Sequence, residues 1–243
     1  MWTLTVLGCD GSHAGLGGAA SGYLLRSWAS DISIWIDAGP GTFANLQLFT
    51  DPVRLSAIVL THEHSDHCTD VAGFRTAALR TWGWERDPVP VYAAPGVRER
   101  IGVEDDSVLQ FEEVGDSDGV DVGNLRLRFS RTDHGPVTLA VRVEGDGKSL
   151  GYSADSGPAW SLSELGTDLD LALCEATFTM DHEGKAGHMS GRQAGASARA
   201  ARARRLVLTH RWPTVPASAL KEEAEESFGG VVDQAAVGRG FSL

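Results

Sequence analysis

Three imidazoles and a carboxylate fall within six residues in the segment Thr61-His62-Glu63-His64-Ser65-Asp66-His67. Neutral imidazole and carboxylate oxygen suit zinc and the neighbouring transition metals. His62 and His64 alternate at period two, so both can point one way off the end of a strand. Asp66 and His67 then fall in the following turn, where they can face a second ion. The plainer reading is a solvated polar loop with chance histidines. It gives no reason for holding three rings so close together.

Four residues cannot satisfy two ions, so further ligands must come from later in the chain. The candidates are His134 in Thr132-Asp133-His134-Gly135, Asp155 in Ser153-Ala154-Asp155-Ser156, and His210 in Leu208-Thr209-His210. Each follows a predicted strand, the edge at which layered α/β folds gather their ligands. Any one of them alone reads as an ordinary surface or core residue; the series gains its meaning from the cluster. Asp155 is the best bridge, because one carboxylate can offer an oxygen to each ion.

The elements that must position these residues are short strands alternating with helices. Strands are predicted at Trp2–Leu7, Tyr23–Arg26, Ile32–Ile36, Ala57–Leu60 and Val89–Tyr92. Others fall at Leu125–Phe129, Leu139–Val143, Leu150–Ser153, Leu169–Leu173 and Leu206–Leu208. The uniformly apolar run Ala57–Leu60 reads as a strand buried on both faces. Helices are expected at Val71–Trp82 with Asp70 as N-cap, at Gly191–Arg204, and at Pro216–Phe228 with Gly229 just beyond its end. Ser190 and Gln193 have capping-box spacing. Gly115–Gly123, acidic and glycine-containing, reads as solvated loop. The pattern is that of one layered α/β domain spanning residues 1–243.

The ligand series resembles the metallo-β-lactamase superfamily, with its H-x-H-x-D-H motif and its later His, Asp and His, over nearly the whole chain. Asp37 in Ile36-Asp37-Ala38-Gly39 matches an early aspartate of that superfamily that supports the metal loop without ligating. Leu7-Gly8-Cys9-Asp10-Gly11-Ser12, Cys174-Glu175-Ala176-Thr177-Phe178 and Gly187-His188-Met189-Ser190 look like segments of the ribonuclease Z branch. The resemblance implies a four-layer αββα fold with two mixed sheets face to face and helices outside. It also implies two divalent ions, zinc or manganese. His62, His64, His134 and Asp155 would hold one ion, and Asp66, His67, Asp155 and His210 the other. Asp66 would also orient the attacking water. His188 would be the non-ligating catalytic histidine, oriented by Glu175. Paired ions lower the pKa of a shared water and clamp phosphoryl oxygens, and a histidine acid beside them can protonate a departing alkoxide.

Two departures from ribonuclease Z narrow the expected substrate. That branch carries a long arm between the third histidine and the bridging aspartate. Here only 21 positions (155 minus 134) separate them, room for one hairpin. His188 is followed by Met-Ser rather than Ser-Thr. The armless pattern is similar to bacterial cyclic-nucleotide phosphodiesterases. The expected substrate is therefore a small anionic phosphodiester. Competing activities are tRNA 3′-end cleavage by a ribonuclease Z-type enzyme and hydrolysis of thioesters, lactones or β-lactams. A regulatory protein that keeps the metal site without turnover is a further alternative.

Composition agrees with a small substrate. The net charge of −12 offers no basic stripe for long nucleic acid. No apolar stretch reaches membrane-spanning length, and Met1-Trp2-Thr3-Leu4 has no signal-peptide character. The three widely spaced cysteines, Cys9, Cys68 and Cys174, read as reduced thiols of a cytoplasmic protein. A homodimer is implied by resemblance alone. The glycines of Gly15–Gly22 lack a phosphate-loop signature. Arg192, Arg199, Arg202, Arg204 and Arg205 read as a solvated helix face. Trp82, Trp84, Trp160 and Trp212 are aromatic candidates for stacking on a base, although most tryptophans are core, and Trp212, two residues past His210, is the first to test. His13 and His182 take no role, and Cys68 reads as a small buried thiol.

Overall fold

The computed structural model describes residues 1–243. Fourteen strands form two seven-stranded sheets. The first sheet contains β1 (Trp2–Gly8), β2 (Gly22–Ser27), β3 (Ile32–Ala38), β4 (Ala57–Leu60), β5 (Val89–Ala93), β6 (Leu109–Glu113) and, at its edge, β14 (Gly240–Ser242), in the order 14-1-2-3-4-5-6. The second contains β7 (Gly119–Val122), β8 (Leu125–Arg131), β9 (Leu139–Gly145), β10 (Lys148–Tyr152), β11 (Leu171–Glu175), β12 (Leu206–Thr209) and β13 (Val232–Gln234), in the order 13-12-11-10-9-8-7. Each sheet is half antiparallel and half parallel. Pairing turns parallel from β3 to β6 in one and from β10 to β13 in the other.

Burial follows the pairing. The parallel strands β4, β11 and β12 are buried at every residue, as expected when both faces of a sheet are covered. Antiparallel β8 instead alternates, with Leu125, Leu127 and Phe129 inward and Arg126 and Arg128 outward. A core of 45 buried residues draws on both sheets and on the helices that cover the first. On the outside of the first sheet lie α1 (Thr42–Phe49), α2 (Ser65–Cys68), α3 (Asp70–Ala77) and α4 (Val97–Ile101), with Phe43 and Phe74 packed on Trp35. On the outside of the second, α5 (Gly191–Ala200) and α6 (Ala217–Phe228) close a separate 17-residue cluster. This is the expected four-layer αββα architecture. No helix is long and apolar enough to cross a membrane.

Several boundaries differ from the sequence reading for local reasons. Asp70 does not cap the helix after the metal motif. It is the first residue of α3, and its carboxylate instead accepts the Phe43 N–H at the start of α1, 2.8 Å away. The regular helix ends at Ala77 and widens into a turn through Trp82. The helix expected to reach Arg204 stops at Ala200, and Arg202 lies in the left-handed region with φ 49°. Its start is as expected, with the Ser190–Gln193 capping box formed. The stretch read as loop at Gly115–Gly123 contains β7, which pairs with β8. The sequence reading also passed over α1, α4, β6, β13 and β14.

Candidate metal centre

All the residues expected at the site meet at one edge of the two sheets. His62 to His67 follow β4, His134 follows β8, Asp155 follows β10 and His210 follows β12. Three positions there carry positive φ without being glycine: Asp37 (54°), Ala154 (50°) and His210 (56°). Backbone in this region is strained for L-residues, and such strain concentrates at functional sites. Glycine lets the backbone close up behind the cluster. A Cβ on Gly39 would lie 2.0 Å from the Asp66 carbonyl oxygen, and one on Gly11 would lie 2.5 Å from that of His210.

The donors converge in two pockets on either side of Asp155. In the first, His62 Nε2 and His134 Nε2 approach His64 Nδ1 at 3.0 and 3.3 Å. Asp155 Oδ2 lies 3.5 Å from His62 Nε2 and 3.8 Å from His134 Nε2. In the second, Asp155 Oδ1 lies 3.2 Å from His67 Nε2 and 3.3 Å from His210 Nε2. Asp66 Oδ2 stands 3.6 and 3.5 Å from the same two nitrogens. Asp155 thus turns one oxygen to each pocket, the geometry expected of a bridge.

The donor set passes a chemical test for a metal. His67 Nε2, Asp155 Oδ1 and His210 Nε2 are buried and have no hydrogen-bond partner. They are close to one another yet misaligned for mutual bonds, because all three aim at a common point. Orphaned buried polar atoms are costly, and three at one point are what a cation would satisfy. In the first pocket three ring nitrogens crowd together, where a single proton could serve only one contact.

Four of the five histidines have Nδ1 committed elsewhere, which leaves Nε2 for the pocket. His67 Nδ1 donates to Asp37 Oδ2 at 2.7 Å, and His134 Nδ1 donates to the Gly187 carbonyl at 2.9 Å. The Thr61 hydroxyl donates to Asp37 Oδ2 at 2.9 Å and accepts from His62 Nδ1 at 3.1 Å. Thr177 Oγ1 lies 2.9 Å from His210 Nδ1. His64 is the exception, since it offers Nδ1. Such partners fix ring orientation and tautomer.

Asp37, fully buried, takes four donors: the Thr61 N–H and hydroxyl, His67 Nδ1 and the Tyr152 hydroxyl at 2.8 Å. It supports the cluster from outside, as the resemblance implied. Burial and then the Asp37 charge push the Tyr152 phenol well above its ordinary pKa, so it remains a donor. Sequence reasoning passed over Tyr152, Thr132 and Asp133. Thr132 Oγ1 donates to the Asp155 carbonyl at 2.8 Å. The Asp133 carboxylate accepts the N–H groups of Gly157 and Ala159 at 2.6 and 2.7 Å. These bonds lock the His134 turn to the Asp155 turn. The adjacency of Thr132 and Asp133 to His134 was the only available signal.

Glu175 and His188 sit beside the pockets. Ligand-type atoms of Asp155, Glu175, His188 and His210 all lie within 4.8 Å of one another. Glu175 has no lone pair to spare for a metal, because its buried carboxylate accepts from Ser156 N, Thr177 Oγ1, His188 Nδ1 and Met189 N at 2.6 to 3.2 Å. The His188 ring stacks on that of His210 at 5.3 Å and 26°. Burial works against its imidazolium, but the Glu175 charge outweighs burial and lifts its pKa to about 9.

The remaining candidates take structural places. Cys68 is buried, with its thiol toward the Glu63 and His64 carbonyls, and burial lifts its pKa to about 12. Arg192, Arg202, Arg204 and Arg205 are paired with Glu183, Asp168, Asp170 and Asp233. That pairing suits a solvated face rather than a polyanion track. Trp212 is half-buried against Phe178, and His13 and His182 are exposed. Only the β9–β10 hairpin occupies the span between His134 and Asp155.

Comparison with known proteins agrees with this geometry. Residues 33–211 match the family described as "Beta-lactamase superfamily domain". The crystal structure of the metallo-β-lactamase fold protein YhfI from Bacillus subtilis superposes with a TM-score of 0.91 at 27% identity, over 100% of both chains. An uncharacterized protein of Mycobacterium tuberculosis is 32% identical over 94% of this chain and 88% of its own length. Ribonuclease Z of Myxococcus xanthus is 29% identical over 94% of each chain. With its fold, its matched family and its converging His and Asp donors in agreement, the chain belongs to the β-lactamase superfamily and is a metallo-hydrolase related to ribonuclease Z.

Proposed function

We propose that this protein is a phosphodiesterase that hydrolyses a small phosphodiester, preferably a cyclic nucleotide, with two divalent ions, zinc or manganese. In this reading His62, His64, His134 and Asp155 hold one ion, and Asp66, His67, Asp155 and His210 hold the other. When bound, the pair would supply an activated water and charge stabilisation for the phosphoryl oxygens. Asp66 orients the incoming water from its place between His67 and His210. His188 holds a proton for the leaving ribose oxygen, and Glu175 fixes the ring through Nδ1.

The observation that carries the proposal is the Glu175–His188 pair, 3.0 Å apart and within 4.8 Å of donors from both Asp155 and His210. A poor alkoxide leaving group needs an acid at that place, whereas a thiolate leaving group does not. The single short hairpin after His134 and the net charge of −12 favour a small substrate over tRNA. The relationship to ribonuclease Z supports tRNA 3′-end cleavage as the second reading.

The test uses protein loaded with zinc or manganese. It compares 2′,3′- and 3′,5′-cyclic nucleotides, a tRNA precursor and bis-(p-nitrophenyl) phosphate. His188→Ala should lower kcat on cyclic nucleotides by about 10²- to 10⁴-fold. Its effect on the nitrophenyl ester should be under about tenfold, since nitrophenolate departs without a proton. Equal losses on both substrates would remove His188 as the acid. Failure of the loaded wild type to cleave any phosphodiester would sink the reading.

A further inference from the structure

We propose that Thr177 is a positioning residue that fixes His210 for metal binding and ties it to the carboxylate that orients His188. The proposal rests on the two-ion reading above. Thr177 is fully buried, so water offers its hydroxyl no alternative partner. Its Oγ1 lies 2.6 Å from Glu175 Oε2, 2.9 Å from His210 Nδ1 and 3.1 Å from the His210 carbonyl oxygen. The hydroxyl has one proton to give. The carboxylate, closest and charged, takes it. The Oγ1 lone pair then faces His210 Nδ1, which must carry its own proton to make the contact. That leaves Nε2 bare, and Nε2 is one of the buried unpartnered atoms aimed into the second pocket.

The other pocket contains the same device. The Thr61 hydroxyl passes the Asp37 charge to His62 Nδ1. There the threonine directly precedes its histidine. His210 also has a threonine before it, but Thr209 Oγ1 pairs with the Tyr23 hydroxyl at 2.5 Å. The role therefore passes to Thr177, brought alongside by the parallel pairing of β11 with β12. One carboxylate, Glu175, consequently sets both the tautomer of His210 and the orientation of His188.

The experiment has two readouts besides activity. Nitrogen-15 NMR of the metal-free wild type at mildly alkaline pH should show His210 protonated at Nδ1 and bare at Nε2. Chelator competition with zinc should show the second ion bound about 10–100-fold more weakly in Thr177→Val, which keeps the shape but removes the acceptor. Thr177→Ser, which keeps the oxygen, should restore wild-type affinity. If Thr177→Val does not fold by circular dichroism, Thr177→Ala takes its place. A wild-type His210 protonated at Nε2, or a Thr177→Val protein that binds the second ion as tightly as wild type, overturns the proposal. A wild type that binds fewer than two ions overturns the two-ion reading instead, and the tautomer still decides the role of Thr177.

Discussion

The two halves of the metal centre share Asp155 yet are built differently. The second pocket is closed: His67, Asp66 and His210 are all buried, and its three orphaned atoms face only one another and Asp66. The first pocket is open on one side. His62 is fully buried, but His64 is half-exposed and presents Nδ1 rather than Nε2. A ligand that water can replace contributes less to affinity than one whose removal leaves a buried void. The second pocket should therefore hold the tighter ion, and the first should be the exchangeable position nearer the incoming substrate.

The largest effect should come from breaking the shared element. Asp155→Ala removes the oxygen facing each pocket and leaves His62, His67 and His210 without their common counter-charge. Metal analysis should show both ions lost, with affinity falling by more than the roughly 10–100-fold typical of losing a residue that merely supports a ligand. Activity should disappear with them. Retention of one full equivalent of metal would show that the pockets are independent, and the comparison would fail.

A smaller pair of changes sharpens the asymmetry. His67→Ala should weaken the second ion by more than about 100-fold, since its ring is wedged between Asp37 and Asp155 with no access for water. His64→Ala should weaken the first ion less than that, because water can reach the vacated position. Stepwise zinc titration of the two variants measures both. Equal losses would mean that exposure does not separate the pockets.

The same contrast explains what was legible in the sequence. His62 to His67 announce themselves because four donors crowd one turn, and the apolar run before them marks the strand that carries them. His134, Asp155 and His210 are single residues at strand ends, legible only as a series with the cluster. Their supports are harder still. Asp37 reaches His67 across 30 positions, and Thr177 reaches His210 across 33. Local sequence cannot distinguish Thr61, which serves the next histidine, from Thr209, which does not. The strand pairing that decides between them is non-local. The missed elements follow the same logic, since β13 and β14 are three-residue edge strands too short to show a period.

Protonation gives the smallest effect. In the metal-free chain, burial followed by the charge on His67 pulls the His62 pKa down to about 4, and burial lowers that of His64 as well. Burial also opposes the His67 imidazolium, but Asp155 and Asp37 outweigh it and hold its pKa well above the ordinary histidine value. At neutral pH His62 and His64 therefore face the first pocket as neutral rings, and His67 must release a proton before its Nε2 can ligate in the second. A raised pKa means the proton competes harder, so affinity for the second ion should rise with pH through the neutral range. Protonation of His62 should cost the first ion nothing above about pH 5, about one unit past the His62 value. Calorimetric zinc titrations in buffers of different ionisation enthalpy would count the protons, with more released on filling the second pocket, where His67 is charged, than on filling the first. Equal release from both would mean that Asp37 and Asp155 do not hold a proton on His67, and the electrostatic half of the contrast would be lost.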